Sequence, residues 1–252
     1  MCSLDNWKHS SDQTFTSLQN EVHVWKIHLD LPEEVITQLK TILAEDELNR
    51  AARFYFEKDR RHYIAARGQL KILLGKYLDT NPAELDFKYN DHGKPFYQRT
   101  GIQFNVSHSN KLGLIAFDPA KPVGVDIEWK RPDFARLKTA QRFFSAGEVK
   151  ELESLPKEQI HDAFFNGWTR KEAYIKALGK GLAIPLSKFQ VSLAPGKPAA
   201  LIETKHDPGQ AEKWKLFAVK VPDGYAGAVM VSSTRSLIEL FEFQAELLSS
   251  SL

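Results

Sequence analysis

Residues 168–176 read Trp-Thr-Arg-Lys-Glu-Ala-Tyr-Ile-Lys and predict a helix with a carboxylate on its apolar face. At helical spacing, the side chains of Phe165, Trp168, Glu172 and Ile175 share one stripe. A buried anion that is neither paired nor bound to a cation costs several kcal/mol or takes up a proton. The structure around this helix should therefore supply positive charge to Glu172.

Residues 123–128, Val-Gly-Val-Asp-Ile-Glu, alternate apolar and acidic positions as a strand does, so Asp126 and Glu128 project from the same side. Together with Glu172 they would form an all-oxygen site suited to a hard cation such as Mg²⁺. Each pattern alone is also typical of solvated surface. The strand could be an ordinary edge, and Glu172 could pair with Lys176, four residues further along the helix. The two patterns together favour the metal site.

Four blocks of this sequence, in their order along the chain, resemble the signatures of the 4′-phosphopantetheinyl transferases of the longer Sfp type. Two of them are residues 124–128 and 168–176. The others are Gly-Lys-Pro at 93–95 and Phe-Asn-Val-Ser-His-Ser at 104–109. One short block is weak evidence, but four in the right order are strong. The resemblance implies an enzyme that transfers the 4′-phosphopantetheine arm of coenzyme A to a serine of an apo acyl or peptidyl carrier protein. Such carriers serve fatty acid, polyketide and nonribosomal peptide biosynthesis.

The resemblance also implies a role for individual residues. Asp126, Glu128 and Glu172 would hold Mg²⁺ against the diphosphate of coenzyme A, and adenosine 3′,5′-bisphosphate would leave. Glu172 and Lys176 would be catalytic, with Lys176 also contacting the diphosphate. Whether Glu172 itself or a metal-bound water takes the serine proton stays open, because a carboxylate beside Mg²⁺ is a weak base. The remaining coenzyme-binding residues would be Arg50, Arg53, Lys94, Ser107 and His108.

The first half of the chain carries a dense series of basic residues on two expected helices. A guanidinium group binds phosphate in bidentate fashion, so some of these side chains could hold the phosphates of the coenzyme. Any one of them could instead belong to a solvated helix face. Arg50 and Arg53 are the better candidates, and Arg60, Arg61 and Arg67 are weaker ones.

Composition narrows the class of protein. The chain has 252 residues, 42% of them hydrophobic, and a formal net charge of only +2, so no global field attracts polyanions. Cys2 is the sole cysteine, which excludes an internal disulfide and a cysteine-based metal site. We find neither a secretory signal nor a stretch long enough to span a membrane. We therefore expect a cytoplasmic protein that binds neither nucleic acid nor membrane, and the resemblance implies a monomer.

The pattern of apolar residues predicts an α+β fold. It indicates a strand at 22–29 and helices near 46–55 and 59–78. The resemblance implies two similar lobes related by a pseudo-twofold axis, with the active site in the cleft between them. We expect a polar N-terminal segment (1–20), an N-terminal lobe (21–118), a C-terminal lobe with the metal site (122–234) and a helical extension (235–252). The apolar face of that extension would comprise Leu237, Leu240, Phe241 and Leu247.

Three further side chains or segments have open roles. Ile127 cannot ligate a metal, unlike the polar residue at that position in some family members, so water would complete the metal shell. Lys171 could face the carrier protein, the phosphate or solvent. The segment 131–144 is where a partner loop is expected, and its apolar and basic side chains could dock an acidic carrier helix or belong to the core. These side chains are Phe134, Leu137, Lys138, Arg142, Phe143 and Phe144.

Two other classes of protein fit part of the sequence. A magnesium-dependent nuclease or phosphohydrolase could use the three carboxylates and Lys176, but it leaves the block at 104–109 unexplained. A non-catalytic module that binds coenzyme A or a carrier protein would bind without transfer.

Overall fold

The computed structural model of the chain describes residues 3–9, 15, 18–134, 136–179, 184–205, 207–235, 237–244 and 248. The helices are α1 (Glu33–Thr41), α2 (Glu45–Ala52), α3 (Glu57–Leu78), α4 (Arg136–Phe143), α5 (Ala146–Ser154) and α6 (Lys157–Leu178). The strands are β1 (Trp7–His9), β2 (Val22–His28), β3 (Lys88–Tyr89), β4 (Pro95–Phe96), β5 (Gln103–Ser109), β6 (Leu112–Asp118), β7 (Gly124–Trp129), β8 (Phe189–Val191), β9 (Leu201–Thr204), β10 (Trp214–Ala218), β11 (Tyr225–Ser232) and β12 (Ile238–Glu242).

The larger sheet has the strand order β1-β12-β2-β6-β5. Its central strand β2 is buried along nearly its whole length because alternate residues face two different apolar clusters. Trp25 and Ile27 pack with residues of α1 and α3. Val22 and Val24 pack with residues of β7 and β11. The strand predicted near this position is confirmed, and the sheet lies between a helical layer and a second sheet.

Helix α3 is the main helix of the first layer, and the helix predicted at 59–78 is confirmed. It crosses α1 closely at Gly68, where an added Cβ would lie 2.7 Å from Cδ2 of Leu39. The helix predicted near 46–55 ends earlier, at Ala52. Residues 53–56 form a turn before α3, so Arg53 stands on a turn beside the helix ends.

The second sheet has the order β10-β11-β7, and helix α6 packs against it. The strand β7 begins at Gly124, where an added Cβ would fall on the backbone of Ala173 and Ala177 in α6. Only a glycine allows this approach of strand and helix. Helix α6 ends at Gly179, whose φ of 65° closes it with a left-handed residue. The helix predicted around Glu172 is therefore confirmed.

The predicted C-terminal helix is wrong at residues 238–242. Ile238–Glu242 is a strand, β12, inserted parallel to β2 and to β1 within the larger sheet. Leu240 lies in the apolar cluster of Val24, and Phe241 stacks on Trp25 at 4.9 Å between ring centroids. A strand can place Leu240 and Phe241 in apolar clusters on opposite faces of the sheet, because successive side chains of a strand point to opposite faces. Leu247, and part of the N-terminal segment 1–20 including Cys2, lie outside the described residues.

The mixture of helices and sheets confirms the predicted α+β class. Strands β2, β5 and β6, together with β1 and β12, form the larger sheet, and β7, β10 and β11 form the second sheet. The pseudo-twofold relation between two lobes stays a prediction.

Candidate active site

The candidate site lies where the two sheets meet, between β5 and β7. These strands belong to different sheets, and side chains of β5 hydrogen-bond to the backbone N–H groups of β7. We call this set of contacts the β5–β7 seam. It joins Asn105 to Val125 (2.8 Å), Ser107 to Ile127 (3.4 Å) and Ser109 to Trp129 (3.0 Å).

Asp126 is the buried carboxylate of the site, with 2% of its surface exposed. Its Oδ1 accepts a hydrogen bond from Oγ of Ser107 at 2.7 Å and pairs with Nζ of Lys176 at 2.6 Å. Its Oδ2 is buried and has no hydrogen-bond partner among the described residues. Burial raises the pKa of Asp126, and Lys176 opposes this effect. The ion pair of Lys176 thus runs from the helix across to the strand.

Glu128 lies two residues further along the same face of β7 and is half-buried. Its Oε2 accepts a hydrogen bond from Oγ of Ser109 at 2.9 Å. Burial, and then the charge of Asp126, raise the pKa of Glu128. The strand therefore presents two carboxylates, each held by a serine of β5.

Glu172 faces these carboxylates from α6 and is half-buried. Burial, and then the negative charge of Asp126, raise its pKa to about 7, with Lys176 opposing the rise and Glu128 adding to it. The charge of Asp126 therefore acts on both Glu128 and Glu172, and the joint metal site stays a prediction. The predicted apolar neighbours Phe165 and Ile175 are buried on the same helix.

The carboxylates are close enough to interact but do not form a compact cluster. Among the described residues, no three Asp, Glu, His or Cys side chains are gathered tightly enough to hold a metal ion. Like charges disfavour a shared position unless a cation lies between them. The donor set nevertheless fits a cation, because Oδ2 of Asp126 is a buried acceptor without a donor, which costs about 1–3 kcal/mol.

Lys94 lies beside the C-terminal turn of α6. Its Nζ donates to the carbonyl oxygens of Lys176 at 2.8 Å and Val123 at 3.3 Å. Burial, and then the charge of Lys176, lower the pKa of Lys94 to about 8. An ammonium group at the last carbonyls of a helix is favourable. The structure therefore places Lys94 next to the site, where it ties the Gly-Lys-Pro segment to α6.

An arginine-lined cavity adjoins the site. A cavity of about 220 Å³ is lined by residues that include Arg50, Tyr63, Arg67 and His108. Arg50 also lines a neighbouring cavity of about 500 Å³ together with Arg53. The structure thus brings together three of the predicted coenzyme-binding residues.

His108 lines the smaller cavity and lies near the ammonium group of Lys176. Its ring reaches the surface, yet it stands in a crowded cleft. Burial, and then the positive charge of Lys176, lower the pKa of His108. A neutral imidazole results near neutral pH, which can donate or accept a hydrogen bond but adds no charge.

Other predicted side chains serve the fold. Lys171 is fully buried and pairs with Glu148 at 2.8 Å. Its ammonium group therefore does not face the carrier protein, the phosphate or solvent, the three possibilities considered from the sequence. Phe144 is buried and Phe143 half-buried against Trp168, as a core role requires, whereas Leu137, Lys138 and Arg142 are exposed. The weaker arginine candidates Arg60 and Arg61 pair with Glu57 and Glu33.

The sequence reasoning missed Asn105, Ser109, Tyr63 and Tyr89. The guanidinium of Arg50 lies 5.7 Å from the ring centroids of both tyrosines, within the range of a cation–π contact. The alternation of Asn105, Ser107 and Ser109 along one strand was the available signal for the seam. It shows a common face but not what lies opposite.

Carboxylates that fit a cation, a lysine and an arginine-lined cavity on an α+β frame define a phosphate-handling site. Two family models match the chain: "4'-phosphopantetheinyl transferase superfamily" over residues 122–230 and "4'-phosphopantetheinyl transferase, N-terminal" over residues 31–120. The chain is 40% identical to the 4′-phosphopantetheinyl transferase HetI of Nostoc sp., over 86% of this chain and 90% of that protein. It belongs to the 4′-phosphopantetheinyl transferase family and is an enzyme of that family.

Two further relatives carry the same family name. A putative 4′-phosphopantetheinyl transferase of Synechocystis sp. is 34% identical over 77% of each chain. The 4′-phosphopantetheinyl transferase Sfp of Bacillus subtilis is 28% identical over 82% of this chain and 90% of that protein. Among solved structures, an apo-ACPS chain (Chronobacterium ammoiniagenes) gives a TM-score of 0.35 at 21% identity, over 43% of this chain and 93% of that chain. Within the described residues, none of the helices is long and apolar enough to cross a bilayer.

Proposed function

We propose that this enzyme transfers the 4′-phosphopantetheine arm of coenzyme A to a serine of an apo acyl or peptidyl carrier protein and releases adenosine 3′,5′-bisphosphate. The observation that carries the proposal is Asp126, held on one oxygen by Ser107 and Lys176 while its other oxygen is buried and unpartnered. Beside it are Glu172 and the arginine-lined cavity. The nuclease and the non-catalytic module are disfavoured, because the relatives that match most of the chain are named as transferases.

Binding of coenzyme A would use the positive charge of the first layer. Arg50 and Arg53 line the larger cavity and can form bidentate hydrogen bonds to the 3′-phosphate. Neutral His108 lines the smaller cavity together with Arg50 and can donate one hydrogen bond to a phosphate oxygen. The direct coenzyme contact predicted for Lys94 stays a prediction, since its ammonium group already serves two carbonyl oxygens.

Asp126, Glu128 and Glu172 would hold Mg²⁺. When bound, Mg²⁺ would neutralise the negative charge of the diphosphate. Lys176 contributes a further positive charge at the same place, and its contact with Asp126 keeps the ammonium group oriented towards the strand carboxylates. Positioned charges of this kind stabilise the charge that develops in the transition state.

The transfer step is a substitution at the β-phosphorus of coenzyme A. The serine oxygen of the carrier forms a bond to this phosphorus, and the bond from the phosphorus to the bridging oxygen breaks. The leaving adenosine 3′,5′-bisphosphate keeps the electron pair. The serine proton would go to Glu172 or to a water beside it. Burial raises the pKa of Glu172 to about 7 in the absence of the cation, and bound Mg²⁺ would lower it.

Intact-mass spectrometry of an apo carrier protein incubated with the enzyme, coenzyme A and Mg²⁺ tests the proposal. The carrier should gain one phosphopantetheine group, and chelation of the metal should abolish the gain. Glu172→Gln and Lys176→Met should slow transfer on the order of 10²-fold. Lys150→Met, at an exposed position of α5, is the matched control and should transfer at the wild-type rate. No gain on several different carriers, despite tight binding of coenzyme A, would contradict the proposal.

The surface offered to the carrier is the exposed part of α4, with Leu137, Lys138 and Arg142. An apolar side chain flanked by two positive charges suits an acidic helix. The identity of the carrier, the cytoplasmic location and the monomeric state stay predictions.

A further inference from the structure

The β5–β7 seam replaces the usual pairing between neighbouring strands. Three side chains of β5 stand where the carbonyl oxygens of a partner strand would accept the N–H groups of β7. Each contact joins residues twenty positions apart in the sequence. On its other edge β7 pairs with β11 in the ordinary antiparallel way. The seam therefore fixes the strand that carries Asp126 and Glu128 against the larger sheet.

Two of the three seam residues, Ser107 and Ser109, also hydrogen-bond to a carboxylate of the site. A serine hydroxyl has one proton to donate and two lone pairs to accept. The proton of Ser107 goes to Asp126, and its lone pairs accept from the Ile127 N–H and the Lys176 ammonium group. Every hydrogen-bonding position of this buried hydroxyl is used within the described structure. The direct coenzyme contact of Ser107 stays a prediction.

Ser109 repeats the arrangement one step along the strand. Its hydroxyl accepts the Trp129 N–H and donates to Oε2 of Glu128 at 2.9 Å. Asn105 makes the same type of backbone contact at 2.8 Å, but its contact is to the Val125 N–H alone in the described structure. Asn105 is therefore an internal control, because it belongs to the seam but, unlike Ser107 and Ser109, does not hydrogen-bond to a carboxylate of the site in the described structure.

We infer that Ser107 and Ser109 are positioning residues, each of which holds one oxygen of a strand carboxylate so that the other oxygen faces the cation. The inference rests on the proposed function. Its strongest support is Asp126, where Ser107 and Lys176 occupy Oδ1 and leave Oδ2 buried without a partner. Groups that orient metal ligands in this way typically change metal affinity by about 10–100-fold when they are removed.

Direct binding of Mn²⁺, followed by electron paramagnetic resonance in the presence of coenzyme A and without carrier protein, tests the inference. Ser107→Ala and Ser109→Ala should weaken Mn²⁺ binding on the order of tenfold. Asn105→Ala, the matched control, should lower the melting temperature through the lost seam contact and keep the Mn²⁺ affinity within about twofold. Ser109→Thr keeps the hydroxyl on a residue suited to strands and should bind Mn²⁺ as the wild type does.

A second readout separates positioning from phosphate binding at Ser107. In EDTA, Ser107→Ala should bind coenzyme A as tightly as the wild type. A selective loss of this affinity would show that Ser107 contacts a phosphate and would overturn the inference. Equal Mn²⁺ affinity in the serine variants and Asn105→Ala would also overturn it while leaving the metal site in place. A wild type that binds no Mn²⁺ would refute the metal site itself. If Ser107→Ala does not fold, the comparison of Ser109→Ala with Ser109→Thr decides.

Discussion

At the scale of single residues, spacing along the chain predicted the acidic side chains of the site but not the side chains that hydrogen-bond to them. Asp126, Glu128, Glu172 and Lys176 could be found because period two on a strand and period four on a helix place them on defined faces. Helical geometry also separates Lys171 from Lys176, since five residues turn a helix by about 140° beyond one full turn. The hydroxyl of Ser109 could not be assigned in the same way, because its partner lies on a strand of another sheet.

A buried histidine away from the site gives the pH dependence of stability. His23 accepts a hydrogen bond from the hydroxyl of Tyr77, which itself accepts from the indole N–H of Trp25. Burial, and then the charge of Lys8, lower the pKa of His23 to about 4. Between the unfolded pKa of about 6.5 and this value, the unfolded chain binds a proton that the folded chain does not. This contribution to stability is therefore complete above pH 6.5 and is lost as the pH falls towards 4.

The expected size of that loss is roughly 3 kcal/mol for one group. Urea unfolding of the wild type and His23→Asn at pH 7 and pH 4.5 measures it. The variant should lose less stability over this range than the wild type. His92→Asn, at an exposed position, is the matched control and should follow the wild type. Parallel pH curves for the wild type and His23→Asn would show that His23 does not titrate in this way.

At the scale of elements, the contact between β7 and α6 sets the distance between the strand acids and the helix acid. An Ala at position 124 would place its Cβ on the backbone of Ala173 and Ala177, and a backbone cannot move aside as a flexible side chain can. We expect Gly124→Ala to destabilise the protein by roughly 1–3 kcal/mol and to slow transfer by the protein that remains folded. The reason is that α6, with Glu172 and Lys176, must shift away from Asp126.

Thermal unfolding and intact-mass assays of Gly124→Ala check this expectation. Gly101→Ala is the matched control, since its added Cβ would meet only the Pro119 carbonyl oxygen, at 3.3 Å. Wild-type rates in Gly124→Ala would show that the helix and strand can separate without harm to the site.

The wrong prediction for Ile238–Glu242 also belongs to the scale of elements. A short apolar run fits a helix and a strand about equally well. What decides in favour of the strand is the opening between β1 and β2, which the segment fills with backbone hydrogen bonds on both sides. Such an opening is made by distant parts of the chain and leaves no local pattern.

At the scale of the whole molecule, a buried ion pair links the ends of the two sheets. Asp118 ends β6 and is fully buried, and Arg235 follows β11. The guanidinium donates to both carboxylate oxygens, at 2.6 and 2.8 Å. The α+β class and the four motif blocks were accessible from the sequence, but this link was not. It joins residues more than a hundred positions apart, and nothing local marks them as partners.

Removal of one partner should be costly, because it leaves a buried charge without compensation. We expect Arg235→Met to lower the free energy of unfolding by roughly 3–5 kcal/mol. The double variant Asp118→Asn/Arg235→Met should recover part of this loss. An Asn keeps a carbonyl oxygen for the N–H groups of Ala120 and Lys121, which now bond to Asp118. Denaturant unfolding of the wild type, Asp118→Asn, Arg235→Met and the double variant measures the coupling, and additive effects of the two substitutions would contradict it.

The β5–β7 seam has a further consequence for the protein in solution. Strands β5 and β7 each end their sheet in the described structure, and an open sheet edge is a template for pairing with other chains. The side chains of Asn105, Ser107 and Ser109 occupy the N–H groups of one such edge and hold the two edges against each other. Loss of the seam would therefore expose two adjacent edges at once. We therefore expect variants that lose these side chains to aggregate more readily than the wild type.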